Sequence, residues 1–200
     1  MNYFKSLLGY LSKRSVIWKT KIISSYFSSS ENILDFGCGD LSLAKSLKQK
    51  IPTLKITGVD VTNFSEKTKD IKFVVYDGKI LPFKDNSFDT VIAFYVFHHC
   101  EDVLGSLNEC IRVAKRRILL VESVYRSPIE LPFMSFMDFI YNIVKPEIIP
   151  LNYNFFSYKK WLTMFEESKM KVNSKKIKQV FLPSFMPIGI SYVFEAIKKT

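Results

Sequence analysis

The run Asn32-Ile33-Leu34-Asp35-Phe36-Gly37-Cys38-Gly39 constrains this chain more than any other. An apolar, strand-like segment ends on an acid and two glycines, and helix-period residues Leu43, Ala44, Leu47 and Ile51 follow at once. A strand that turns through glycine directly into a helix is the opening of a βα unit. The glycines let the backbone turn sharply and approach a ligand without a Cβ in the way, and the Asp35 carboxylate accepts hydrogen bonds at the crossover. Alone, the segment fits either a nucleotide-like ligand or a turn with purely local needs.

The same alternation continues down the chain. Strands are expected at 32–36, 54–61, 71–76, 88–96 and 117–122, with helices at 41–51 and 102–114; the second helix carries Val103, Leu104, Leu107, Ile111 and Ala114 at helical spacing. Val91-Ile92-Ala93-Phe94 is apolar on both faces, as a strand buried in a parallel sheet must be. The expected class is therefore α/β, a mostly parallel sheet with helices on both sides.

One domain over residues 1–200 is expected, because 48% hydrophobic residues at this length suffice for a single core. Residues 1–30 read as helical, with Leu7, Leu8, Leu11, Val16, Ile17 and Ile22 as apolar positions; 30–125 form the binding core. Residues 126–160 are an aromatic-rich lid or insertion, and 160–200 hold a helix from about 158 to 167 and a strand pair at 175–181 and 191–197, separated by Pro183, Pro187 and Gly189. Phe133, Phe136, Met137, Ile140 and Val144 share a helical face, which suits core packing as well as a lid over a hydrophobic acceptor.

The net charge of +10 favours anionic partners such as nucleic acid or acidic lipid, although a solvated lysine-rich face carries the same charge. Cys38, Cys100 and Cys110 have neither CxxC spacing nor an even count, so no structural metal site or disulfide framework is expected and a reducing cytoplasm fits. No signal peptide is indicated. The apolar stretch 129–144 is too short, and too interrupted by Glu130, Pro132 and Asp138, to span a bilayer; peripheral membrane contact remains open.

About two dozen residues after the glycines, Gly58-Val59-Asp60 ends the next strand with an acid placed to reach ribose hydroxyls. Tyr76-Asp77-Gly78, Leu81-Pro82-Phe83, Ser87-Phe88-Asp89, Phe97-His98-His99 and Glu109-Cys110-Ile111-Arg112-Val113-Ala114-Lys115 follow in order. In this order and over residues 30–125, the chain resembles the class I S-adenosylmethionine-dependent methyltransferases, particularly the small-molecule group that includes quinone-biosynthesis enzymes.

The resemblance implies a Rossmann-like three-layer sandwich whose mostly parallel seven-stranded sheet has an antiparallel C-terminal strand. It implies S-adenosyl-L-methionine as cofactor, with Asp35, Gly37, Cys38 and Gly39 under the methionine portion and Asp60, next to Val61, at the ribose. Asp77 would meet the adenine amino group, Gly78 would lie beside the ring, Phe94 or Tyr95 would border the sulfonium, and Asp89 would be structural. The sequence departs from the family at Leu41, where a third glycine is usual and a side chain would crowd the cofactor's carboxylate end. It departs again at Arg116-Arg117, where a proline-glycine-glycine turn is usual and only loop geometry should change.

The expected function is methyl transfer to a small-molecule acceptor by direct displacement, with no metal required. His98, His99 and Glu122 are the catalytic candidates, the histidines as general bases and Glu122 as a substrate-positioning group; a wall or capping role fits the histidines equally. An RNA methyltransferase and a non-catalytic S-adenosylmethionine-binding partner protein are the alternatives. Phe94-Tyr95-Val96-Phe97 replaces the Asn-Pro-Pro-aromatic sequence that amino-directed nucleic-acid methylation would need. A nicotinamide dehydrogenase has no place for the segment from Asp77 to His99.

Overall fold

The computed structural model describes residues 2–63, 70–143, 152–177 and 190–198. In chain order the elements are α1 (Asn2–Ile23), β1 (Asn32–Phe36), α2 (Ser42–Lys50), β2 (Lys55–Asp60), β3 (Lys72–Val75), β4 (Phe88–Phe94), α3 (Val103–Val113) and β5 (Ala114–Tyr125), then α4 (Leu131–Ile143), β6 (Phe156–Ser157), α5 (Tyr158–Glu167), β7 (Met170–Ile177) and β8 (Ile190–Lys198). The sheet runs β3-β2-β1-β4-β5-β8-β7, with β8 antiparallel to both neighbours and the other pairings parallel. Two-residue β6 pairs with Val124 and Tyr125, in the lane that β4 leaves after Phe94 meets Val121. This is the expected α/β sandwich.

Both sheet faces are dry. On one, Phe36, Leu120 and Phe194 pack with Leu107 and Cys110 of α3 and Trp161 and Phe165 of α5; on the other, Ile33, Ile92, Leu119 and Val193 pack with Ala44 and Leu47 of α2 and Ile23 of α1. Alternate residues of β5 feed opposite faces, which is why the strand reads as a continuous apolar run. Burying each large apolar side chain contributes about 1.5–3 kcal/mol, so the two layers dominate stability.

The chain changes direction of winding between β1 and β4, and the ends of these two strands form the crevice where doubly wound sheets bind ligands. Glu109 and Arg112 of α3 shape one approach to it. Glu109 Oε2 accepts from the Leu81 amide (2.8 Å), while Arg112 donates to the carbonyls of Phe83 (2.8 Å) and Leu81 (3.0 Å). The two residues thus clamp the Leu81-Pro82-Phe83 stretch. Asp89 accepts from the Asn32 amide (3.0 Å), a structural role as expected.

Three sequence expectations shift. The first strand of the terminal pair lies at Met170–Ile177 rather than 175–181, because its lysines and polar residues face solvent on an edge and hide the strand pattern. Residues 178–189, with Pro183, Pro187 and Gly189, lie outside the described residues, as do the side chains of Leu7, Leu8, Leu11 and Ile140, and Val144 entirely. The Arg116-Arg117 substitution does more than alter a turn. α3 passes into β5 without an intervening loop, and Arg117 joins Glu195 (3.1 Å), Glu31 (3.3 Å), Thr90 Oγ1 (3.2 Å) and the Tyr26 carbonyl. Glu31 is buried, but hydrogen bonds from Ser28 and Thr90 together with Arg117 outweigh desolvation and hold its carboxyl below the usual range.

Finally, of the face expected on α4, Phe136 is 56% exposed while Phe133 and Met137 are partly buried. The inward residues of this helix are Met134, Asp138 and Asn142. Among the described residues, no helix is long and apolar enough to cross a membrane.

Candidate functional site

The glycine loop is built by backbone contacts between β1 and β2. Gly37 and Cys38 donate their amides to the Val59 carbonyl (2.9 and 3.2 Å), and Gly39 donates to Asp60 Oδ2 (2.9 Å). Gly37 has φ +66°, and a Cβ there would lie 2.0 Å from Val96 Cγ2, so glycine is required for β4 to approach. Gly39 differs: at φ +52° its missing Cβ would meet no atom within 4 Å. That is open space directly over the loop.

Asp35 is 2% exposed, and its Oδ2 has no hydrogen-bond partner among the described residues. Burial pushes its carboxyl up to about 7 against the pull of Lys19, with Asp60 and Asp40 adding smaller repulsions. A buried carboxylate oxygen with nothing to accept from is costly and asks for a cationic or donor group. Beside the open space at Gly39, this fits the ammonium end of a methionine-containing cofactor. Burial also raises the Cys38 thiol well above its ordinary value, so that side chain packs rather than reacts.

The Leu41 side chain is buried rather than exposed over the loop. The residue adopts the left-handed conformation (φ 63°) that a third glycine would take, and its buried side chain lies against Gly58 of β2. A Cβ on Gly58 would sit 2.4 Å from Leu41 Cδ2 and 2.7 Å from Cys38 Sγ. The substitution therefore costs about 1–2 kcal/mol of backbone strain and returns it as core contact. Asp40 caps the turn, accepting from the Ser42 amide (3.0 Å) and hydroxyl (2.7 Å).

Asp60 accepts from Gly39 and, through Oδ1, from the Thr62 amide (3.1 Å); a carboxylate has lone pairs to spare for two hydroxyls. The Tyr76 amide binds the Asp60 carbonyl (3.1 Å), which brings the β2 and β3 ends together. Exposed Asp77 accepts from the amides of Lys79 (2.9 Å) and Ile80 (3.1 Å), and these bonds hold its carboxyl below the usual range. Gly78 has φ +81°, and its missing Cβ would lie 3.3 Å from Val61 Cγ1. Val61 and Ile80 are exposed apolar side chains on this rim, a surface suited to a flat ring.

Across the crevice, Phe94 is buried in the core, whereas Tyr95 takes a left-handed conformation (φ 53°) and its hydroxyl donates to Ser191 Oγ (3.0 Å). Lys19 lies 5.4 Å from the Tyr95 ring centroid. The helical turn Phe97–His99 follows.

His98 and Glu122, 3% and 1% exposed, meet through Nδ1 and Oε2 at 2.9 Å, and Glu122 Oε1 accepts from the Phe97 amide (2.9 Å). His98 Nε2 lies 3.4 Å from Asp138 Oδ1 and His99 Nε2 3.8 Å from Asp138 Oδ2. Burial disfavours an imidazolium, but Glu122 and Asp138 outweigh it and push His98 up to about 9. Asp138 is held below the usual range by the same contacts and by Asn142, against its own burial. Asp102, not a histidine, caps α3, accepting from the Gly105 amide (2.8 Å).

Sequence reasoning brings Asp35, Gly37, Cys38, Gly39, Asp60, Val61, Asp77 and Gly78 to one side of the crevice, and His98, His99 and Glu122 to the other. It misses Asp138, whose signal is a lone acid on the inward stripe of an apolar helix, and Lys19, which only the docking of α1 brings near Asp35.

Residues 34–121 match the family model described as a methyltransferase domain. The chain is 34% identical over 110 residues to the demethylmenaquinone methyltransferase of Thermotoga maritima, covering 52% of this chain and 48% of that protein. It is 29% identical over 157 residues to the ubiquinone/menaquinone biosynthesis C-methyltransferase UbiE of Rickettsia prowazekii, covering 71% and 57%. The chain thus spans about half the length of these curated relatives. A chain of the complex between the Haloferax volcanii Trm112 methyltransferase activator and a methyltransferase shares the fold, with a TM-score of 0.71 at 15% identity over 92% of this chain and 90% of that one. Motif order, sheet order and the match over residues 34–121 coincide: this part of the chain is similar to the methyltransferase-domain family, and the chain has the Rossmann-like fold of solved methyltransferases.

Proposed function

We propose that this chain, as one methyltransferase domain in the cytoplasm, binds S-adenosyl-L-methionine at the β1–β4 crevice and transfers its methyl group to a small apolar or aromatic acceptor. The observation that carries the reading is Asp35 Oδ2, buried and without a hydrogen-bond partner among the described residues, in the same loop as the open space over Gly39. Asp35 would accept from the cofactor's ammonium, Asp60 from the ribose hydroxyls, and Asp77 from the adenine amino group, with Val61 and Gly78 against the ring. When bound, the cofactor supplies a methyl group on a sulfonium, open to displacement by an acceptor lone pair or carbon nucleophile.

The protein's part is alignment, which contributes on the order of 7–11 kcal/mol in favourable cases. Glu122 and His98 engage each other, and Glu122 accepts from the Phe97 amide, so in this reading they hold the wall of the acceptor side and His99 would meet an acceptor. Helix α4 covers that side in this reading. The names of the relatives point to a quinone-like ring as the acceptor class. Calorimetric titration with S-adenosylmethionine tests the cofactor: one-to-one binding at micromolar concentration is expected, and no heat at millimolar concentration from folded protein would sink the reading. Methyl-group turnover with a quinol or catechol panel then tests the acceptor class.

A further inference from the structure

We infer that His98, His99 and Asp138 form a binding site for a divalent transition metal ion, with Glu122 orienting His98 from behind. The candidate ligand atoms, one from each residue, all lie within 4.8 Å of one another. In a tetrahedral site with bonds of about 2.0–2.1 Å, neighbouring ligand atoms stand about 3.3–3.4 Å apart, so His98 Nε2 and Asp138 Oδ1 at 3.4 Å are already at that spacing. The remaining atoms need a contraction within the reach of rotamer adjustment.

Each ligand has its own support. Glu122 engages His98 Nδ1, which leaves Nε2 as the ligand atom; this is the carboxylate–histidine–metal arrangement. His98 Nε2 is buried and makes no hydrogen bond among the described residues, although it faces Asp138 at ion-pair distance. A lone pair and a carboxylate oxygen repel unless a cation stands between them, and a proton or a metal ion fills that need. Phe155 stacks on His98 at 4.6 Å and 17°. Asn154 donates its amide to the His98 carbonyl (2.9 Å), and Asn152 Nδ2 donates to that of His99. Asn142 Nδ2 donates to Asp138 Oδ2 (2.9 Å).

Two imidazoles and one carboxylate suit zinc, cobalt(II) or iron(II) and not magnesium or calcium, which take oxygen donors. Three protein ligands also leave coordination positions for water or an oxygen of an acceptor. The ion would tie α4 to the turn after β4.

The test is a titration of chelator-treated, tag-free full-length protein with cobalt(II) chloride, followed by the visible d–d bands and reversed by zinc. Saturation at one equivalent is expected. Glu122→Gln should weaken cobalt binding about 10–100-fold. Asp138→Asn and His99→Ala, which remove ligands at partly exposed positions, should weaken it at least as much while the circular dichroism stays native. Folded wild-type protein that does not saturate at one equivalent, or an unchanged isotherm in the folded His99→Ala/Asp138→Asn double variant, would overturn the site. No S-adenosylmethionine is present in this titration, so its failure leaves the cofactor reading untouched.

Discussion

At the β1–β2 end of the crevice, carboxylates are held by backbone amides: Asp60 by Gly39 and Thr62, Asp77 by Lys79 and Ile80. At the β4–β5 end they are held by imidazoles, with Glu122 and Asp138 on either side of His98. Amides at a strand end are fixed by the fold and stay in place when a ligand comes and goes. Imidazoles carry a charge that depends on protons or metal, so the second region is an ionic cluster closed only when α4 docks. The first is a preformed cradle, and the second is an assembled one.

The largest way to break this contrast is Glu122→Ala. It leaves a buried imidazole and the Phe97 amide without their acceptor, and about 3–5 kcal/mol should be lost in urea unfolding. A loss below about 1 kcal/mol would mean that the cluster is not a structural unit.

Asp35 tests the cradle through pH. Its folded value of about 7 lies above the ordinary carboxyl value of 3.8, so its contribution to native stability is fully present below 3.8 and is lost as pH rises through 7. The loss is on the order of 4 kcal/mol, at about 1.4 kcal/mol for each tenfold change in the proton equilibrium. Asp35→Asn should flatten this slope in unfolding curves from pH 4 to 8 and weaken cofactor binding. In the wild type, cofactor affinity should tighten between pH 6 and 8, because the ammonium partner needs the ionised carboxylate.

Leu41→Gly relieves strain but removes a core side chain, for a net loss of about 2 kcal/mol. Cofactor affinity should stay within about twofold by calorimetry, as expected of a side chain turned toward Gly58 rather than the ligand. Asp60→Ala should weaken S-adenosylmethionine binding by about ten- to a hundredfold, and unchanged affinity in a folded variant refutes its ribose role. Smallest is Asp77→Ala, an exposed carboxylate in a local turn, which should leave the urea unfolding midpoint nearly unchanged. A larger change would erase the difference between the two ends.

Much of the cradle is legible in sequence because its parts are local. Gly37 and Gly39 lie within a few residues of the strand they terminate, and Asp60 ends a strand, and Asp77 follows one, whose pattern can be read. The Glu109 and Arg112 pair is also legible as a motif, though its task of clamping Leu81 and Phe83 is not. Leu41 shows the limit from the other side. Its departure from glycine is visible, but the direction of its side chain depends on a φ angle and on an opposing glycine in β2.

By itself the sequence determined the strand–helix alternation, the parallel sheet and the acids at the strand ends, because periodicity and turn chemistry act over a few residues. Only the tertiary structure decided that Asp138 reaches His98 and His99, that Arg117 bridges Glu31 and Glu195, and that Asp35 keeps a buried oxygen without a hydrogen-bond partner among the described residues. Those facts follow from burial and from packing between distant elements. Desolvation and charge pairing depend on the neighbours in space, which no local pattern specifies.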